Sequence, residues 1–123
     1  MARILIIDDD NIIRRMLCRM VSKAGYEVLD AADGQAGIEL FRENEIDLVI
    51  TDLIMPEKEG IEMIMELKTD FPDVKIIAMS GGAKMGPEEY LQMADALGAQ
   101  RTLKKPIDRD DLLGAIEEIL TPS

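Results

Sequence analysis

Histidine occurs at none of the 123 positions of this chain. That absence removes Ser–His and Cys–His nucleophilic catalysis, histidine-bound metal centres, and any phosphohistidine formed on the chain itself. If a phosphoryl group arrives here, it is carried in from outside. Cysteine is almost as scarce, and Cys18 alone cannot close an internal disulfide. There is no apolar run long enough to cross a membrane and no signal-peptide pattern behind Met1, so the expected location is cytoplasmic. Basic residues are also in short supply: 14 Lys plus Arg stand against 25 Asp plus Glu, a net charge of -11. Nucleic-acid backbones and anionic lipid surfaces demand a basic face, so neither is an expected direct partner.

What is present is enough hydrophobic material for one core. At 47% hydrophobic residues, a chain of this length forms one domain burying roughly two thirds of its unfolded surface. Arg3 to Ile7 is a continuous β-branched run, as in a strand covered on both faces, and it empties into Asp8, Asp9 and Asp10. From Asn11 the period changes. Ile13, Met16, Leu17, Met20, Val21 and Ala24 lie at helical spacing, with Asn11 as expected cap and Gly25 as stop. The other side of that helix carries Arg14, Arg15, Arg19 and Lys23, either a solvated face or a docking surface.

The alternation continues to the end of the chain. Tyr26–Ala31 reads as a less buried strand, and Asp33-Gly34 opens a helix that turns Ile38, Leu40 and Phe41 inward. Asp47–Asp52 is a third strand, followed by a helix from Gly60 to Asp70 with Ile61, Ile64 and Leu67 at its core side. Val74–Met79 is a fourth strand running into Ser80-Gly81-Gly82. A helix over Pro87–Leu97 closes at Gly98, Arg101–Lys105 is a fifth strand broken by Pro106, and Asp108–Leu120 is the last helix. Five strands alternating with five helices predict an α/β fold, a doubly wound parallel sheet with helices on both faces.

In such sheets, ligands bind beyond the carboxyl ends of the strands. There this sequence places Asp8 and Asp9, Asp52, Ser80 and Lys105. A lone Asp at a strand end is a common turn former; its company gives it another meaning. Three carboxylates within about 4 Å would repel by roughly 4 kcal/mol per pair at an effective dielectric of about 20. Lys105 offsets one charge and a divalent cation two more. All the candidate ligands are hard oxygens, which favours Mg²⁺ over zinc. An Asp beside Mg²⁺, with a lysine and a hydroxyl at hand, suits carboxylate attack on a phosphoryl group to give an acyl phosphate.

These residues resemble the receiver domain of two-component response regulators. The resemblance rests on Ile-Leu-Ile-Ile-Asp8-Asp9, Asp52-Leu-Ile-Met-Pro56, Ser80 and Lys105-Pro106, in that order at successive strand ends, and spans residues 1–121, with 122–123 a tail. It implies a flavodoxin-like strand order 2-1-3-4-5 and Asp52 as phosphoacceptor. It implies Mg²⁺ held by Asp9, by Asp8 through water, by Asp52 and by the backbone carbonyl of Ile54, while Asp10 falls outside the pattern. Lys105 would hold a phosphoryl oxygen across a cis bond to Pro106, with Lys104 pointing into solvent, and Ser80 would donate a hydrogen bond to the phosphoryl group. The implied donor is a histidine kinase or a histidine phosphotransfer protein. The output is a changed surface on the fourth helix, fifth strand and fifth helix, read by an unidentified protein, the chain being a monomer or a phosphorylation-dependent dimer.

Two readings of other classes compete. A Mg²⁺ phosphohydrolase of haloacid dehalogenase type would need Asp8 or Asp9 as nucleophile, and a pseudo-receiver would act as an interaction module without phosphorylation. The sequence departs from the receiver pattern at Thr102, where the family commonly has an aromatic residue on the fifth strand. Coupling through the loop 81–86, which has glycine at 81, 82 and 86, is the expected substitute, with a plain linker as the alternative. Tyr90 is a candidate output contact, Met85 and Met93 are core filler or partner surface, and Cys18 is expected to be a small packed residue. The chain is expected to be a stand-alone receiver, or else one cut from a longer regulator.

Overall fold

The computed structural model describes residues 2–53, 59–80, 92 and 96–121. Five parallel strands form one sheet in the order β2-β1-β3-β4-β5: β1 Arg3–Ile7, β2 Glu27–Ala31, β3 Leu48–Asp52, β4 Ile76–Ser80 and β5 Arg101–Lys104. Between them run α1 Asn11–Lys23, α2 Gly34–Glu43 and α3 Glu59–Asp70, and the C-terminal helix Arg109–Leu120 follows. Of the helix expected over 87–97, Gln92, Ala96 and Leu97 are helical and the rest lies outside the described residues. Four of the five expected helices are therefore described in full. The Gly81–Gly86 loop, Tyr90, Met85 and Met93 also lie outside the described residues.

Alternation along each strand builds two cores, one per face. Leu5, Ile7, Val49, Ile76 and Ala78 meet Ile38 of α2 and Met63, Ile64 and Leu67 of α3. Ile4, Ile6, Leu48, Ile50, Ile77 and Met79 meet Leu17 and Val21 of α1 and Leu112 and Ile116 of the C-terminal helix. Each fully buried aliphatic contributes about 1.5–3 kcal/mol. Burial on both faces explains why β3 and β4 read as unbroken apolar runs, while β2 and β5, at the sheet edges, are only partly covered.

Local chemistry moves several expected boundaries. The cap of α1 is Asp10 rather than Asn11: its carboxylate accepts the N–H groups of Ile12 and Ile13 at 2.9 and 3.1 Å, since an extended residue before the helix can reach back to orphan donors. The apolar stripe of α1 is narrower than its spacing predicts, for Met16 and Ala24 are exposed. Gly25 follows α1 with φ +100°, and Gly98 has φ +79°, left-handed conformations that favour glycine. Val74 is buried but stands outside β4, its N–H spent on Phe71 O in a turn.

Candidate phosphoacceptor site

The strand order reverses direction between β1 and β3, and the polar ends of those two strands face the opening that this creates. β1 delivers Asp8, which is fully buried. Its backbone N–H continues the ladder to Ala31 O at 3.2 Å. Oδ1 accepts the N–H of Asp10 at 2.9 Å and Oδ2 accepts Lys105 Nζ at 2.8 Å. β3 delivers Asp52, 5% exposed, whose Oδ2 accepts the same Nζ at 2.7 Å. Beneath it the buried Thr51 hydroxyl donates to the Asp52 carbonyl at 3.2 Å, and the Leu53 N–H ties the chain to Met79 O of β4 at 2.9 Å.

Lys105 reaches both carboxylates because its own N–H bonds Ser80 O at 2.7 Å, carrying β5 one residue past its last ladder pair, Ser80–Lys104. Lys104 itself is exposed, as period-two alternation requires. The Lys105–Pro106 peptide is cis. Burial alone would lower the Lys105 pKa, but hydrogen bonds and charge from Asp52 and then Asp8 outweigh it and hold the ammonium above its ordinary range.

Asp9 is exposed at the rim, yet carboxylate oxygens of Asp8, Asp9 and Asp52 all lie within 4.8 Å of one another. Like charges at that separation repel by about 3.5 kcal/mol per pair at an effective dielectric of about 20, and one ammonium does not balance three carboxylates. A hard divalent cation suits the remainder: the donors are all oxygens and one of them opens to solvent. Ser80 is buried at the end of β4, on the same sheet edge. Ile54, the expected carbonyl ligand, lies outside the described residues. Thr102, at the position noted above, pairs with Ala78 and is half-buried.

One feature was not legible in the sequence. Arg14 does not belong to the solvated face of α1, for its guanidinium turns inward and donates from Nη1 to Asp8 O at 2.8 Å and from Nε to Asp30 Oδ2 at 2.8 Å. Nothing in the spacing separates it from Arg15, which is exposed. Cys18 is half-buried, in keeping with the small packed residue expected of it, and its thiol is pushed up to about 11, chiefly by burial and then by Asp30.

Known proteins resemble this chain in sequence and in fold. The family model for the response regulator receiver domain matches residues 4–117. The response regulator receiver protein CpdR of Brucella abortus is 36% identical over 122 residues, covering 98% of both chains. Chemotaxis protein CheY of Thermotoga maritima is 35% identical over 118 residues, covering 95% of this chain and 96% of that one. Among solved structures, the response regulator TrrA of Thermotoga maritima, in complex with Mg²⁺-BeF, superimposes with a TM-score of 0.84 at 29% identity, covering 98% of this chain and 100% of that one. A doubly wound sheet with acidic ends on β1 and β3 and a lysine just past β5, matched by that model over nearly its whole length, makes this chain a member of the response regulator receiver domain family.

Proposed function

We propose that Asp52 is the phosphoacceptor of a two-component signalling switch, within a domain running from residue 1 to 121. The observation that carries this is the Lys105 ammonium bridging Asp52 and Asp8 at 2.7 and 2.8 Å, with the Asp9 carboxylate beside them. An Asp52 carboxylate oxygen attacks the phosphorus of a phosphohistidine. The P–N bond breaks, its electron pair leaves with the imidazole of the donor, and a P–O bond forms to give an acyl phosphate. Lys105 then offsets charge on the phosphoryl oxygens, and the Ser80 hydroxyl donates to one of them.

Asp8, Asp9 and Asp52 would hold Mg²⁺, with the Ile54 carbonyl completing the protein ligands; when bound, the ion supplies neutralising charge to the phosphoryl oxygens. The chain is a signalling domain rather than an enzyme, and any assistance to its own phosphorylation or dephosphorylation belongs to this proposal.

A histidine kinase or phosphotransfer protein is the donor we infer. Support comes from a groove of about 490 Å³ lined by Ile12, Met16, Arg15, Arg19, Lys23 and Arg109. Its basic rim, unusual in a chain of net charge -11, fits an acidic helix with an apolar centre. No helix among the described residues is long and apolar enough to cross a membrane, and a cytoplasmic site of action is part of the same proposal.

The test is phosphorylation in vitro. Incubation with Mg²⁺ and acetyl phosphate is expected to add one phosphoryl mass that is labile to hydroxylamine and missing from Asp52→Asn. No adduct on the wild type, or an undiminished one on Asp52→Asn, would overturn the assignment. An adduct on Asp8 or Asp9 would instead favour the dehalogenase-like reading.

A further inference from the structure

We propose that Arg14 is a positioning residue for the divalent cation: it fixes the Asp8–Asp9 peptide so that the Asp9 carboxylate meets those of Asp8 and Asp52. This rests on the metal-site reading above. Of the basic residues on α1, Arg15, Arg19 and Lys23 are exposed, whereas the Arg14 side chain is only 14% exposed. Its guanidinium makes three bonds: Nη1 to Asp8 O at 2.8 Å, Nη2 to Asn11 Oδ1 at 2.7 Å and Nε to Asp30 Oδ2 at 2.8 Å. One planar group thus ties together the end of β1, the first residue of α1 and the end of β2.

The mechanism follows from peptide geometry. The Asp8 side chain is already fixed by Lys105 and by the Asp10 N–H. Asp9 is exposed, so packing does not set the position of its carboxylate; its backbone does. A planar peptide makes the Asp8 carbonyl and the Asp9 N–H a single rigid unit. Holding the carbonyl oxygen therefore holds the plane from which Asp9 departs. Metal sites depend strongly on such supporting hydrogen bonds.

Charge is handled in the same arrangement. A guanidinium next to a cation site would by itself repel the metal, and the Asp30 carboxylate at 2.8 Å cancels most of that field. A lysine carries the same charge but cannot present three donors in one plane.

The experiment is a calorimetric Mg²⁺ titration of the full chain, at fixed pH and ionic strength, with urea unfolding measured alongside. Arg14→Lys and Arg14→Gln are expected to weaken Mg²⁺ binding about tenfold, and Asp30→Asn about threefold because it leaves the Arg14 charge uncancelled. If wild type binds Mg²⁺ and the two Arg14 variants bind it within twofold, the inference is overturned while the metal site stands. A loss of stability with unchanged affinity overturns it equally, because that is the signature of a purely structural contact. Should Arg14→Gln fail to fold, Arg14→Lys and Asp30→Asn decide the matter alone. Absence of Mg²⁺ binding by wild type overturns the metal site and this inference together.

Discussion

Asp8 and Lys105 are 97 residues apart in the chain and meet at 2.8 Å, the carboxylate fully buried and the lysine side chain 14% exposed. The same ammonium bonds Asp52 at 2.7 Å, so one cation holds the ends of β1 and β3 from its position beyond β5. The sheet edge is closed by charge as well as by backbone pairing.

Removing that cation leaves two buried carboxylates facing each other. Breaking a buried pair costs about 3–5 kcal/mol, and Lys105→Met is expected to lose stability of that order without metal. Saturating Mg²⁺ should stabilise the variant more than it stabilises wild type, because the ion takes over part of the lysine's role. Urea unfolding of both proteins, with and without Mg²⁺, measures the difference. Equal Mg²⁺ effects on the two would show that lysine and metal do not share the same charges.

The raised Lys105 pKa has a consequence at alkaline pH. A lysine stabilised in its charged form contributes fully below its unfolded pKa of about 10.4, and that contribution is lost as pH rises through the higher folded value. The stability difference between wild type and Lys105→Met is therefore expected to be constant from pH 7 to about pH 10 and to shrink above it. Taking the difference removes the titration of tyrosines and other lysines common to both. A difference that stays flat to pH 11.5 would count against the bridge.

Metal binding should be visible without phosphorylation. Mg²⁺ at about ten times its dissociation constant is expected to stabilise the wild-type fold by about 1.4 kcal/mol. Chelation should reverse the effect, and Asp9→Asn should reduce it, since Asp9 is one of the three clustered carboxylates. Thermal unfolding across an Mg²⁺ series reads all three, and a melting temperature indifferent to Mg²⁺ would contradict the site.

Two glycines should respond oppositely to alanine. A Cβ at Gly37 of α2 would collide with Ile7 Cδ1 and come within 3.0 Å of Ile7 Cγ1, and Ile7 is fully buried. Gly37→Ala is expected to cost about 1–3 kcal/mol through overpacking. At Gly114, on the exposed side of the C-terminal helix, a Cβ meets nothing within 4 Å. Gly114→Ala is expected to gain up to about 1 kcal/mol from helix propensity. Equilibrium unfolding of the two variants checks the pair.

The sequence by itself determined the class of fold and the chemistry at one edge of it. Short apolar runs rich in β-branched residues and bounded by polar and turn residues point to strands covered on both faces, and Asp8 and Asp52 close such runs, so local pattern places them at strand ends. The missing histidine likewise settled that no phosphohistidine forms within these 123 residues. Only the tertiary structure decided how three consecutive aspartates divide their work: Asp8 is buried against Lys105, Asp9 stands exposed at the rim, and Asp10 caps α1. It also decided that Arg14, and not Arg15 beside it, turns inward to the Asp8 carbonyl. The physical reason is the same in both cases. Periodicity reports which face a residue occupies, but the orientation of a single peptide, and the partner waiting 97 residues away, depend on the packed course of the whole chain.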